Sequence, residues 1–379
     1  MKYQAFFYNL AISYILILTP TKLGLAQATP ICNDAQIQDE YNSKSKKYQS
    51  YKVENEVCST NNSFCAKDFV YSTMLSQTQF IAPVDKADEK APVINCKITN
   101  LDIIPGPFGK DSIRTSINWD EHSITNYTRK NHALHPGKVT RIIIERESKI
   151  IVVTKGEGEG NFPRKNENEA PELWSNVDKK LIKEVKLILA QNPCKSKPYL
   201  GNQSTMNSCV SWEYQQADNI LNQVYQQLKS QLPVSHKQLL DAVQLAWIEF
   251  KKKECLFTRM NIRGGSGSMG YGLQTSCALD LIEKRTADLK AYIRGEIPSS
   301  NSGSENYQAA DLLLNQIYQK VHSSVGAQQQ LQSTQIAWID FRDTSCKFEN
   351  SQFSSNDNTC LTRITEQRIE RLSRLLPRN

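Results

Sequence analysis

Residues 217–228 read ADNILNQVYQQL, and residues 310–321 read ADLLLNQIYQKV. Two further pairs follow in the same order. QLAWIEFKKKEC, ending at Cys255, is matched by QIAWIDFRDTSC, ending at Cys346, and CALDLIEKRTADL from Cys277 is matched by CLTRITEQRIERL from Cys360. The offsets are 93, 91 and 83 residues, so the second copy has lost two residues between its first two blocks. Three blocks of matching residue types in one order indicate an internal duplication.

Each block carries a helical period. Ala217, Leu221, Val224 and Leu228 recur at spacings of three and four, as do Leu239, Val243, Trp247 and Phe250, with Leu279, Ile282 and Leu289 marking a third face. Pro233 and Ser235 interrupt the first two segments, and GGSGSMGYG at 264–272 separates the second from the third. Each copy therefore predicts a three-helix bundle with a modest core, to which a disulfide would contribute about 2–4 kcal/mol.

Working outward, the N-terminus carries Lys2, an apolar run over residues 6–18, then Thr19-Pro20 and Ala26-Gln27-Ala28. That is the layout of a cleavable signal peptide, residues 1–28. The run is too short for a span, which needs about 20 apolar residues, so no membrane span is expected after cleavage. All 10 cysteines follow that point, an even number without paired zinc-ligand spacing, which predicts disulfides, no metal, and a periplasmic or secreted location. The second copy keeps only Cys346 and Cys360, matching Cys255 and Cys277. A pair retained alone is most simply bonded to itself, so Cys346–Cys360 and Cys255–Cys277 are expected. Cys194 and Cys209, both missing from copy 2, are then left for each other. Cys32, Cys58, Cys65 and Cys96 should bond among themselves in one of three connectivities.

The order AD..LN..Y, Q.AW..F....C and C.....R...L resembles the LprI-type lysozyme-inhibitor domain, a family of small helical exported bacterial domains. Copy 1 is the fuller match, with Cys194, the MNSC motif at 206–209 and the glycine-rich loop; copy 2 lacks all three. The resemblance implies an envelope binding protein with lysozyme as its partner. The alternative reading is a structural module that docks another envelope protein. Gly264, Gly265, Ser266, Met269 and Tyr271 are the candidate binding residues, on an exposed loop suited to insertion into a cleft. Trp247 and Trp338 read as core. Asn222, Asn315, Gln244 and Gln335 read as buried interhelical hydrogen bonders. Arg285 and Arg368 read as partners of Asp218 and Asp311 or as solvent-facing.

Residues 29–190 form the remaining domain. Up to about residue 62 the chain is polar, with Tyr41, Tyr48 and Tyr51 at a helix-compatible spacing. VINCKITNLDII, SIRTSINW and KVTRIIIERESKIIVVT then read as strands, the last a hairpin turning near Glu147-Ser148. A helix is expected over 171–189. The fold class is therefore α+β: a small N-terminal α+β domain (29–190), then helical repeat 1 (191–297) and helical repeat 2 (298–379).

Other chemistries find little footing. His132 and His135, with His122 nearby, lack a carboxylate or cysteine in their motif. The alternating glycines and glutamates at 156–160 lack the Lys-Ser/Thr of a phosphate loop and read as a turn or flexible loop. No serine has a nucleophile-elbow context, so neither enzymatic activity nor a cofactor is expected. The precursor's formal charge is +7, and repeat 1 holds 13 Lys and Arg against nine Asp and Glu. No dense basic stripe points to nucleic acid.

Overall fold

The structure is a computed structural model, which describes residues 41–62, 64–101, 111–160, 163–194, 203–261, 265, 267–299, 306–353 and 357–376. The hairpin of strands β5 (Gly137–Arg146) and β6 (Lys149–Glu159) is the spine of the N-terminal domain. Arg146 pairs with Lys149, leaving Glu147 and Ser148 as the two-residue turn, at φ +53° and +59°. Both positive values fit the turn whose twist matches that of flanking strands.

Around this hairpin lie β1 (Tyr48–Ser59), β2 (Ile98–Asn100), β3 (Ser112–Asn118) and β4 (Ser123–Thr128), in the order β1-β6-β5-β4-β3-β2 with every pair antiparallel. Helices α1 (Lys67–Ser76) and α2 (Pro163–Ala190) pack on the sheet. The helix expected over 171–189 thus starts eight residues earlier, with Pro171 inside it.

Two expectations fail here. Tyr48 and Tyr51 lie on a strand, not a helix. Tyr51 accepts a hydrogen bond from Trp174 Nε1 of α2 at 2.9 Å, and Asn55 donates to Asp178 at 2.7 Å. The glycines at 156–160 are not a turn up to residue 159, since that stretch finishes β6. A Cβ on Gly156 would come within 2.1 Å of the Tyr51 ring. Glycine there lets an aromatic lie flat on the strand.

The α2–sheet contact centres on Arg141, wholly buried, whose Nη2 donates to Asp178 Oδ1 at 2.6 Å and whose Nη1 donates to Thr154 Oγ1 at 2.8 Å. The guanidinium also lies over Trp174, 5.2 Å from its ring centroid. Loss of either ionic partner would strand a buried charge, at a cost of about 3–5 kcal/mol.

Repeat 1 comprises α3 (Gln203–Gln231), α4 (Val234–Met260) and α5 (Ser268–Ile293); repeat 2 comprises α6 (Tyr307–Ser324), α7 (Gln328–Phe353) and α8 (Asp357–Ser373). Within each copy the first and third helices pair, while the second packs on its counterpart from the other copy. His236, at the start of α4, bonds the Ser351 carbonyl near the end of α7, and Phe250 stacks on Phe341 with ring centroids 5.8 Å apart. Those contacts make α4 and α7 antiparallel, so the copies face each other across a pseudo-twofold axis through the Phe pair. Repeat 1 also docks on the sheet domain. Gln223 donates to the Ser72 carbonyl at 3.1 Å, Lys290 pairs with Asp68 at 3.1 Å and Arg294 with Asp120 at 3.0 Å.

Cys255–Cys277, Cys346–Cys360 and Cys194–Cys209 are all bonded as the duplication predicts, with Cα separations of 5.5, 5.5 and 5.0 Å. In the sheet domain Cys58 is bonded to Cys65. Cys96 is disulfide-bonded too, and Cys32 lies outside the described residues. Among the described residues no helix is long and apolar enough to cross a membrane.

Candidate functional site

The free end of repeat 1 is formed by the starts of α3 and α5 and the end of α4. Cys194–Cys209 and Cys255–Cys277 staple it, the second joining α4 to α5 directly. Asn207 donates from Nδ2 to the Ser268 carbonyl at 2.8 Å, tying α3 to the first turn of α5.

The loop is shorter than its composition suggests. Gly264 and Ser266 lie outside the described residues, Gly265 is buried, and residues 268–272 are already helix. Met269 and Tyr271 therefore sit on the first turn of α5, not at a loop tip. The glycines there serve close packing. A Cβ on Gly270 would lie 2.2 Å from the Gly265 carbonyl oxygen, and one on Gly272 would lie 2.4 Å from Asn207 Oδ1. Met269 and Tyr271 are nonetheless 53% and 54% exposed, and Met206 and Met260 are exposed at the same end. Thioethers and a tyrosine in the open make an adaptable surface for a protein partner.

Arg259 organises this end. Its Nε donates to the Gly265 carbonyl at 2.9 Å and its Nη1 to Gln274 Oε1 at 3.3 Å, while Cζ lies 3.7 Å from the Tyr271 ring centroid. Among the described residues no carboxylate pairs with it. The arrangement offers a guanidinium beside exposed apolar groups, a pairing that suits a carboxylate in an apolar-walled cleft.

The other expected residues divide. Trp247 and Trp338 are buried in the core. Gln244 and Gln335 do bond between helices, accepting from Arg285 Nε at 3.2 Å and Arg368 Nε at 3.0 Å. Asn222 and Asn315 do not. Both are exposed and donate to Asp218 and Asp311 one turn earlier on their own helices. Arg285 and Arg368 are buried and leave those aspartates to Lys251 and Arg342, at 4.0 and 3.8 Å. Each of these two cations is held between aromatic rings: Lys251 between Tyr214 and Trp247, Arg342 between Tyr307 and Trp338. Burial lowers the Lys251 pKa against the pull of Asp218. A tyrosine three or four residues before AD, with W...K or W...R in the next block, was the signal for these sandwiches.

His122 bonds Asp68 at 3.0 Å, and His132 accepts from the Leu134 amide at 3.0 Å. Cys194, Cys209 and Glu213 lie within 4.8 Å of one another, but both sulfurs are committed to their disulfide, leaving no thiolate as a metal ligand. An apolar cleft of about 630 Å³ separates α3 and α5 from the sheet domain, with Phe64, Phe69, Trp212 and Ile220 in its walls.

The comparisons place the helical half. The family described as lysozyme inhibitor LprI matches residues 194–289 and 299–372, the two copies. The chain belongs to the LprI lysozyme-inhibitor family through this C-terminal half. An uncharacterized protein from Rhizobium meliloti (strain 1021) is 30% identical over 102 residues, covering 24% of this chain and 72% of that protein. A crystal structure of an uncharacterized protein from Burkholderia thailandensis has a TM-score of 0.37 at 16% identity, over 49% of this chain and 94% of the other. That score is too low to carry a fold or a function across.

Proposed function

We propose that this is an exported envelope protein that binds and inhibits lysozyme with the free end of repeat 1, without catalysis of its own. The observation that carries the reading is the difference between two family copies: only repeat 1 presents Met269 and Tyr271 around an Arg259 that has no carboxylate partner among the described residues. Lysozyme acts through a pair of carboxyl groups in a cleft. Met269 and Tyr271 would fill that cleft and Arg259 would pair with a carboxylate. The excess of basic residues in repeat 1 favours, through electrostatic steering, a lysozyme with an acidic surface. Five disulfides' worth of cysteines after a signal-like segment supports an oxidising compartment, either periplasmic or extracellular.

The test is lysozyme-driven clearing of a bacterial cell-wall suspension, with the purified chain from residue 29 present. Slower clearing is expected from the wild type. The variant carrying Met269→Ser and Tyr271→Ser should lose most of that effect while keeping its circular dichroism. Unchanged clearing with acidic and basic lysozymes alike would overturn inhibition and leave docking to another envelope protein as the reading.

A further inference from the structure

The duplication leaves a charge imbalance at the pseudo-twofold axis. Arg285 and Arg368 occupy equivalent positions, and each lies over the phenyl ring of the opposite copy: Arg285 Cζ is 5.9 Å from the Phe341 centroid and Arg368 Cζ is 5.6 Å from that of Phe250. Both are almost wholly buried. Arg368 has a counterion, Glu254 Oε2, 2.7 Å from its Nη1. The position equivalent to Glu254 in the other copy is Ser345, whose hydroxyl bonds the Phe341 carbonyl. Arg285 is thus left without the matching carboxylate. Among the described residues its guanidinium makes one hydrogen bond, to Gln244, and its Nη2 is buried with no partner; Arg368 Nη2 is likewise unpartnered.

Both arginines line one cavity of about 260 Å³ between the copies. Lys284, Arg371 and Arg374 add three more cations to its wall, against Asp288 and Glu370. The other four cations each have a carboxylate in contact, Glu254, Asp280 or Glu370, whereas Arg285 has none among the described residues and feels Asp288 and Glu349 only at longer range. A buried guanidinium with no carboxylate in contact is costly. We infer that the cavity between the repeats is a binding site for a small oxyanion ligand, carrying a carboxylate or phosphate group, with Arg285 as its anchor and Lys284 and Arg374 at its rim. The ligand's oxygens would supply the acceptor that Ser345 does not. The volume admits a molecule of several heavy atoms, and charge-assisted hydrogen bonds to guanidinium groups are the strong class. This site is distinct from the free end of repeat 1, and its failure would leave the lysozyme reading untouched.

Calorimetric titration of the full mature chain with inorganic phosphate and, separately, with succinate tests the inference at constant ionic strength. Saturable binding of either probe is expected, with a Kd of about 0.1–1 mM, and the tighter probe identifies phosphate or carboxylate as the ligand group. Arg285→Met should weaken binding at least about tenfold, equivalent to about 1.4 kcal/mol. It should also raise the melting temperature in probe-free buffer, since it removes a buried charge that has no carboxylate in contact. Lys284→Gln with Arg374→Gln, both at exposed positions, should weaken binding about three- to tenfold with the melting temperature held. Heats no larger than those of a chloride control, or phosphate and succinate affinities unchanged in both variants, would overturn it.

Discussion

The two helical repeats have the same three-helix plan and the same core tryptophan, yet they carry different charges in the space between them. Glu254 of repeat 1 holds two arginines of repeat 2, Arg368 and Arg371, and Arg371 reaches on to Asp280 at 2.8 Å. The positions equivalent to Glu254, Arg371 and Asp280 are Ser345, Asp288 and Arg363. The signs are exchanged and the central carboxylate is gone. Arg363 instead pairs with Glu349, which also accepts from the Tyr292 hydroxyl. A duplicated backbone thus tolerates opposite electrostatics when buried charges find new counterions, and Arg285, bonded to Gln244 with no carboxylate in contact among the described residues, marks where that replacement is incomplete.

The largest effect that could break this comparison comes from Glu254→Gln. It leaves Arg368 buried without its counterion and facing Arg371, which keeps only Asp280, so urea unfolding should show a loss of about 3–5 kcal/mol. Ser345→Ala at the equivalent site removes one neutral hydrogen bond and should cost about 1 kcal/mol or less. Equal losses would mean that the two sides are electrostatically alike. The pH dependence sharpens the same point. Burial alone would raise the Glu254 pKa, but Arg368 and Arg371 outweigh it and hold the carboxyl below its ordinary value. A depressed folded pKa contributes stability that is fully present above the unfolded value, about 4.3, and is lost as pH falls through the folded one. The gap between wild type and Glu254→Gln should therefore be constant from pH 7 to 5 and narrow in stronger acid.

Next in size are the matched disulfides. Replacing Cys255 and Cys277 by serine should cost about 2–4 kcal/mol, and replacing Cys346 and Cys360 only about 0.4 kcal/mol less, because the loops span 22 and 14 residues and closure entropy grows slowly with length. Thermal unfolding of the two double variants checks this. A much larger loss in repeat 1 would point to the Cys277 Sγ contact with Arg371 Nη2, 3.3 Å away, as the added contributor.

Why the pairing was legible while the charge network was not follows from what repeats in a sequence. Cysteines, the AW pair and the apolar faces recur at fixed offsets, so the helices and three disulfides could be read by comparing the copies. Glu254 and Ser345 also align, but nothing in either segment shows that the Glu254 carboxylate meets arginines of the other copy. That contact depends on α4 pairing with α7, which no local pattern encodes. In the sheet domain the hairpin turn was legible because Glu147-Ser148 interrupts two apolar runs. Strand β1 was not, because its inward residues include Gln49, Tyr51 and Asn55, which serve α2 through hydrogen bonds, not through an apolar stripe. At the candidate site Gly270 and Gly272 looked like loop residues. They are helical, and their missing side chains make room for Gly265 and Asn207.

The smallest expected effect tests the one feature both copies keep while changing its chemistry. Lys251 Nζ lies 4.8 Å from the Trp247 centroid and 5.5 Å from that of Tyr214; Arg342 Cζ lies 5.1 Å from Trp338 and 5.6 Å from Tyr307. A cation held this way contributes about 0.5–2 kcal/mol, depending on its desolvation. The two are not interchangeable, since a planar guanidinium can stack on both rings and still bond sideways. Arg342 uses that freedom, with Nε 2.8 Å from Asp343 and Nη1 3.8 Å from Asp311, whereas Lys251 reaches one carboxylate, Asp218 at 4.0 Å, and the Tyr214 hydroxyl at 3.4 Å among the described residues. Exchanging the cations should therefore be unequal. Arg342→Lys should lose about 1 kcal/mol in urea unfolding, and Lys251→Arg should be neutral or gain a few tenths. Losses of the same size in both would show that each pocket is fitted to its own cation, and no change in either would show that the sandwiches hold the rings in place without adding stability.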